Sequence, residues 1–227
     1  MLDLKTSFGS WAEYAGVILL GPSDLFVADA FCNSALAAAY ESVDVLGIDN
    51  APVQYGMESN CRFELDDINQ EWDRELEYFD LVYGNKLLGN VDNWPRLFRN
   101  AFDCLTPGRF LNLCDRPFDY TSKNGRIDTW RWVALQAREL GDLVGCSFVI
   151  TRDTYKNYMA EAGFLDIHEI WEEIPVVDCL DIVLDEIECF LFRKWHLENV
   201  ESEEAESHIA TLRSQLESEA SEAYTHW

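Results

Sequence analysis

The 227-residue chain is 48% hydrophobic and 13% aromatic, with eight Trp, enough to pack one α/β domain and too much for a disordered segment. Its 17 basic and 42 acidic side chains leave a formal charge of −25, and a surface of that sign repels nucleic acid and anionic membrane, whose phosphates need clustered Lys and Arg. The seven Cys, at 32, 61, 104, 114, 146, 179 and 189, are odd in number and never at C-x-x-C spacing; that argues against a disulfide framework or a zinc site, and for reduced thiols in the cytoplasm, with the nucleus as the alternative.

The first residues, MLDLKTSFGSWAEYAGVILL, hold one basic residue and are interrupted by Asp3 and Glu13, a poor signal peptide. No apolar run approaches the ~18 residues of a membrane span. Residues 1–23 read as an N-terminal extension and 24–227 as one domain, whose part from 178 onward is acidic and helical.

Within that domain short apolar runs alternate with helical patterns. DLFVAD (24–29) and VDVLGID (43–49) read as buried strands, joined by an Ala-rich helix, NSALAAAY (33–40). CRFELDD (61–67) is a third strand and FDLVYGNK (79–86) a fourth. NWPRLFRNAFDCL (93–105) is an amphipathic helix with Pro95 in its first turn, where a missing N–H does no harm; TPG (106–108) stops it, and RFLNLCD (109–115) is a fifth strand. A long helix covers 126–145, ended by Gly141 or Gly145, and another covers 151–164, with Thr151 or Asp153 as N-cap and Gly163 at its end. LDIHEIWEEIPV (165–176) alternates like a half-exposed strand. Strands alternating with helices imply βαβ units and a Rossmann-like, mostly parallel sheet flanked by helices.

In such sheets ligands sit beyond the carboxyl ends of the strands. Asp49, ending the second strand, suits the diol of a ribose; alternatively it is a solvated Asp opening the turn DNAP. Asp66 and Asp67 end the third, where a carboxylate meets an exocyclic adenine amine and Ile68 lines the ring; alternatively DDINQEW starts a helix and one of these acids caps it. Asn85 ends the fourth strand, and Asn112 and Asp115 sit on the rim of the fifth. After the first strand comes the glycine-free VADAF. The four His, at 168, 196, 208 and 226, have no metal-ligand spacing.

Taken in order, VLGIDNAPVQYGMESNCRFELDDINQEW and YFDLVYGNKLLGNVDNWPRLFRNAFDCLTPGRFLNLCD resemble the S-adenosylmethionine-dependent class I methyltransferases, and within them the fungal LaeA-like group. YMAEAGFLDIHE and IATLRSQLESEASEAYTHW are similar to that group's later segments, so the resemblance covers residues 24–227. It implies the class I methyltransferase fold with S-adenosyl-L-methionine as cofactor and a small-molecule acceptor. Asp49 then matches the ribose acid, Asp67 with Asp66 the adenine-side acid, and Trp72 that segment's aromatic; Asn85 flanks the methionine part. Ala28 and Ala30 fall where the family has the glycines of its first loop.

Three departures stand out. The first loop reads Phe26-Val27-Ala28-Asp29-Ala30, with a Cβ where glycine usually lets the backbone bend and approach the ligand. The segment that usually precedes the first strand is short, and the chain stops at YTHW, so the expected fold lacks its last strand and has an open edge. The sequence therefore supports a small-molecule methyltransferase of fungal secondary metabolism with no assignable catalytic residue. Its rival is a degenerate, non-catalytic module of the same fold whose ligand is a protein partner.

Overall fold

The computed structural model describes residues 1–4, 37–50, 59–125 and 127–226. The chain divides into two compact units, one of Met1–Leu87, Asn93–Cys114 and Tyr155–Ile167, the other of Leu88–Asp92, Asp115–Thr154 and His168–Trp227.

The first unit is built on a five-stranded parallel sheet of β1 (Leu2–Leu4), β2 (Val45–Asp49), β3 (Cys61–Leu65), β4 (Phe79–Asn85) and β5 (Leu105–Cys114), in the order β3-β2-β1-β4-β5. This is the core of the class I methyltransferase sheet. All five residues of β2 and all three of β1 are buried, as strands covered on both faces must be. The central place between β2 and β4, which the sequence reading assigns to 24–29, is held by Leu2–Leu4. Residues 24–29 and most of the helix read at 33–40 lie outside the described residues, which retain helical structure at 37–39.

Helix α1 (Trp94–Cys104) starts where the sequence places it: Asn93 caps it, its Oδ1 accepting from the Arg96 N–H at 3.0 Å, and Pro95 sits in the first turn. Leu97, Phe98, Ala101 and Cys104, spaced along one face, are buried. The strand that follows begins at Leu105, ahead of TPG. Leu105 pairs with Phe79 and Phe110 with Leu81, so residues 106–109 are looped out of the ladder as an irregularity within β5. TPG is thus part of the strand and not the end of a helix.

Helix α3 (Thr154–Ala162) packs its Tyr155 ring 4.6 Å from Trp94 and 5.7 Å from Phe98. Arg99 crosses from α1 to close its carboxyl end, donating to the carbonyls of Ala162 at 2.9 Å and Glu161 at 3.1 Å.

The second unit gathers α2 (Asp128–Val144), α4 (Leu180–Leu197) and α5 (Ser202–Glu219) around a core that includes Trp130, Leu140, Leu184, Ile187 and Leu216. Of the two glycines that might end α2, Gly145 does so, with φ +74° and its N–H donating to the carbonyl of Gly141. Lys194 on α4 is buried yet reaches Glu139 of α2 at 3.2 Å and Glu198 at 2.7 Å.

Two strand expectations are corrected here. From 165–176 only β6 (Glu173–Pro175) is a strand. Its partner is β7 (Tyr224–His226), antiparallel, within the part from 178 onward that the sequence reads as helical. A ladder extends only as far as its partner, and three residues of β7 support three of β6. The pair is a separate two-stranded sheet and does not join the five-stranded one.

Candidate functional site

The order β3-β2-β1-β4-β5 reverses direction between β1 and β4, and the crevice beyond the carboxyl ends at such a switch point is where this architecture places ligands. Leu4, the last residue of β1, is in register with Ile48 of β2 and Gly84 of β4. Asp49 and Asn85 each lie one residue further on. They therefore stand at the same level on either side of β1, two strand spacings apart, or about 10 Å between backbones.

Asp49 is 4% exposed, and its carbonyl accepts the Asp66 N–H at 2.9 Å. Asn85 is half-buried, but both polar atoms of its carboxamide are shut off from solvent and have no hydrogen-bond partner among the described residues. A buried amide left unpaired costs on the order of 1–3 kcal/mol per group. The next residue, Lys86, has φ +56°, a left-handed conformation uncommon for a residue with a Cβ, and its N–H is held by the carbonyl of Cys114 at 3.0 Å.

The segment after β3 is an acidic loop, and the helix that DDINQEW seemed to begin does not form. The reason is local competition. The Asp67 carboxylate accepts from the Asn69 N–H at 3.0 Å and its carbonyl from the Gln70 N–H at 3.0 Å, closing a turn. Asp66 accepts from the Asp67 N–H at 2.9 Å and is ion-paired with Arg74, which also holds Glu64 at 3.1 Å. Ile68 is buried, and the Trp72 indole N–H donates to its carbonyl at 3.3 Å. Sequence reasoning missed Arg74, which pairs with two of these acids; its signal was a lone Arg eight residues beyond Asp66 in a stretch of seven acidic residues.

Asn112 is not on the rim: it pairs with Tyr83 inside the β4–β5 ladder. Asp115 follows β5 in the second unit, where its Oδ1 accepts the Leu88 N–H at 3.0 Å. Ala28 and Ala30 lie outside the described residues. Sequence reasoning missed β1 because Asp3 interrupts its apolar run; in the sheet that Asp is only 2% exposed. Among the described residues no group of three His, Cys, Asp or Glu is placed to hold a metal ion, and no helix is long and apolar enough to cross a membrane.

The site can thus offer acceptors at Asp49 and Asp67 and a combined donor and acceptor at Asn85, in a setting whose carboxylates favour a cationic ligand.

The family described as "Methyltransferase domain" matches residues 27–169, well over half of the chain. The chain is 27% identical over 181 residues to the methyltransferase PytC of Aspergillus terreus, covering 78% of this chain and 49% of that protein. It is 28% identical over 148 residues to the secondary metabolism regulator LaeA of Aspergillus flavus, covering 62% and 39%. It therefore spans about half or less of the length of these relatives. In fold it is similar to the phosphoethanolamine N-methyltransferase 2 of Haemonchus contortus, solved with phosphomonomethylethanolamine and S-adenosylhomocysteine (TM-score 0.53, 14% identity, 100% of this chain and 46% of that one). It is similar as well to the [4+2]-cyclase SpnF (TM-score 0.55, 14% identity, 99% and 72%).

Proposed function

This chain belongs to the methyltransferase domain family, and we propose that it holds S-adenosyl-L-methionine at the carboxyl ends of β2, β3 and β4 and methylates a small-molecule acceptor. A role in fungal secondary metabolism is supported by the relatives PytC and LaeA. A reducing compartment, cytoplasm or nucleus, suits the six described cysteines, all of them free.

The observation that carries the reading is the pair at the switch point: a buried carboxylate, Asp49, level across β1 with the carboxamide of Asn85, which has no partner among the described residues. The residues fit the cofactor. Asp49, an acceptor, suits the ribose hydroxyls. The Asp67 carboxylate already accepts from the Asn69 N–H and the Gln70 side-chain amide in its own turn, but a carboxylate has about four lone-pair sites and keeps capacity for the exocyclic amine. Asn85 can donate to the carboxylate and accept from the ammonium of the methionine part. When bound, the sulfonium supplies an activated methyl group. What the chain's own residues do is hold the reactants in line, within about 3–3.5 Å, and keep water away, which supplies most of the rate effect in such a transfer. No residue is assigned as a base.

A second reading, a non-catalytic module of this fold that binds a protein partner, is favoured by one observation. The segment Phe26-Val27-Ala28-Asp29-Ala30, which the resemblance sets at the family's first loop, contains no glycine.

Isothermal titration of the folded protein with S-adenosylmethionine and S-adenosylhomocysteine decides between them. Micromolar binding is expected. No heat at millimolar ligand, in protein whose circular dichroism shows it to be folded, overturns the enzyme reading in favour of the module.

A further inference from the structure

The acidic loop after β3 carries a support that the reading above does not use. Arg74 reaches back to the strand, its Nη1 donating to Glu64 of β3 at 3.1 Å, while its Nη2 is ion-paired with Asp66. The Arg74 side chain is only 11% exposed, so its guanidinium has few other positions to take. A planar fork with a carboxylate at each prong fixes both more firmly than an ammonium could.

The effect passes along the chain to Asp67. One oxygen of Asp66, Oδ2, takes Arg74, and the other, Oδ1, accepts the Asp67 N–H at 2.9 Å. The Asp49 carbonyl holds the main chain at Asp66, but the carboxylate that receives the Asp67 N–H is oriented by Arg74. Beyond Asp67 the loop is held from α1, where the buried Asn100 donates to the Gln70 carbonyl at 3.2 Å. Of the carboxylates at 64, 66 and 67, Arg74 pairs with two and leaves Asp67 to its turn and to a ligand. Released from Arg74, Asp66 would be a second acceptor beside Asp67.

We infer that Arg74 is a positioning residue for recognition of the adenine ring: acting through Asp66, it holds Asp67 so that an exocyclic amine is preferred to an oxo group at the same ring position. The inference rests on the cofactor reading above. An amine donates to the carboxylate, whereas an oxo oxygen faces it as another acceptor and forms no hydrogen bond. A carboxylate held in place enforces that difference; a mobile one turns away from the wrong ring and loses the choice.

The test is calorimetric titration of the full chain with S-adenosylhomocysteine and with S-inosylhomocysteine, whose base carries oxo in place of the amine. The unaltered protein should prefer the first by about tenfold or more. Arg74→Met should bring the two affinities within about threefold of each other, a change of ratio that a general loosening of the fold would not produce. Asp67→Ala should do the same, and adding Arg74→Met to it should change the ratio no further, since Arg74 acts through Asp67. If Arg74→Met does not fold, Arg74→Lys takes its place; it keeps the charge and loses the fork, and the ratio should fall in the same direction. An unaltered ratio in the Arg74 variant, with both affinities lowered alike, overturns the inference and makes Arg74 a brace for the loop. Equal binding of the two ligands by the unaltered protein also overturns it, and leaves cofactor binding itself standing. Binding of neither ligand by folded, unaltered protein is a different result: it overturns the cofactor reading, and the inference falls with it.

Discussion

The N–H of Asp66 donates to the carbonyl oxygen of Asp49 at 2.9 Å, so the acids at the ends of β2 and β3 are joined through the main chain. Asp66 spends its carboxylate on Arg74, whereas Asp49 is buried at the level of Asn85. The two acids are therefore not equivalent, and substitution at each should be felt in a different quantity.

Asp49→Ala is expected to weaken S-adenosylmethionine by about 1–3 kcal/mol, the cost of leaving ligand hydroxyls unpaired in a buried place. Titration calorimetry on protein with an unchanged circular dichroism spectrum measures this. Affinity equal to that of the unsubstituted protein would remove Asp49 from the site.

Arg74→Met tests the acidic loop. The loss of global stability should be about 1 kcal/mol or less, because Asp66 and Glu64 are each more than a third exposed and their pairs are screened by water. The larger effect is local: hydrogen exchange at the amides of 67–70 should quicken, since the Asp66 carboxylate then loses its ion pair and keeps only the Asp67 N–H. Unaltered exchange would mean that the turn closed by Asp67 is sufficient alone.

Gly89 and Gly108 make a matched pair. Both have left-handed backbones, φ +77° and +81°, but a Cβ built on Gly89 falls 2.2 Å from a ring carbon of Phe148, while one on Gly108 meets nothing within 4 Å. Gly89→Ala should cost about 2–4 kcal/mol, the left-handed penalty plus overpacking, and Gly108→Ala only about 1–2 kcal/mol. Thermal melts of the two variants provide the comparison; equal losses would show that Phe148 moves aside freely.

Lys194 governs part of the alkaline limb of stability. Burial pulls its pKa down, but Glu198 and Glu139 outweigh that and hold it above the ordinary 10.5. A raised pKa means the folded state keeps a proton that the unfolded chain loses, so this contribution is whole below pH 10.5 and disappears as pH climbs through the higher folded value. Lys194→Met should leave stability at neutral pH within about 1 kcal/mol, because both Glu partners are exposed enough for water to replace the ammonium. It should also flatten the fall in urea midpoint above pH 10.5. The loss that begins near pH 9, where burial keeps Cys104, Cys146 and Cys179 protonated in the fold, should persist in the variant. An identical alkaline profile in both proteins would sink the assignment to Lys194.

The sequence by itself determined the elements whose signals are local. VLGID and FDLVYGN are near-continuous apolar runs because parallel strands are covered on both faces, and they form strands where expected. Asn93 and Pro95 set the start of α1, and Gly145 the end of α2, because caps act within one turn of chain. The order of these elements, with acids after two of the strands, was enough to recognise the family, which the match over 27–169 bears out.

Tertiary structure decided whatever depends on a distant partner. Leu2–Leu4 is central only because β2 and β4 flank it, and three residues with an Asp in the middle carry no periodic signal of their own. The extent of β6 was set by β7, about fifty residues later in the chain. Asp66 and Asp67 had the chemistry of helix caps, but Arg74 and the Asp67 turn claimed them first. Sequence could name Asn85, yet only the folded chain reveals that its amide is buried and without a partner among the described residues, because hydrogen-bond satisfaction belongs to the surroundings of a side chain and not to its identity.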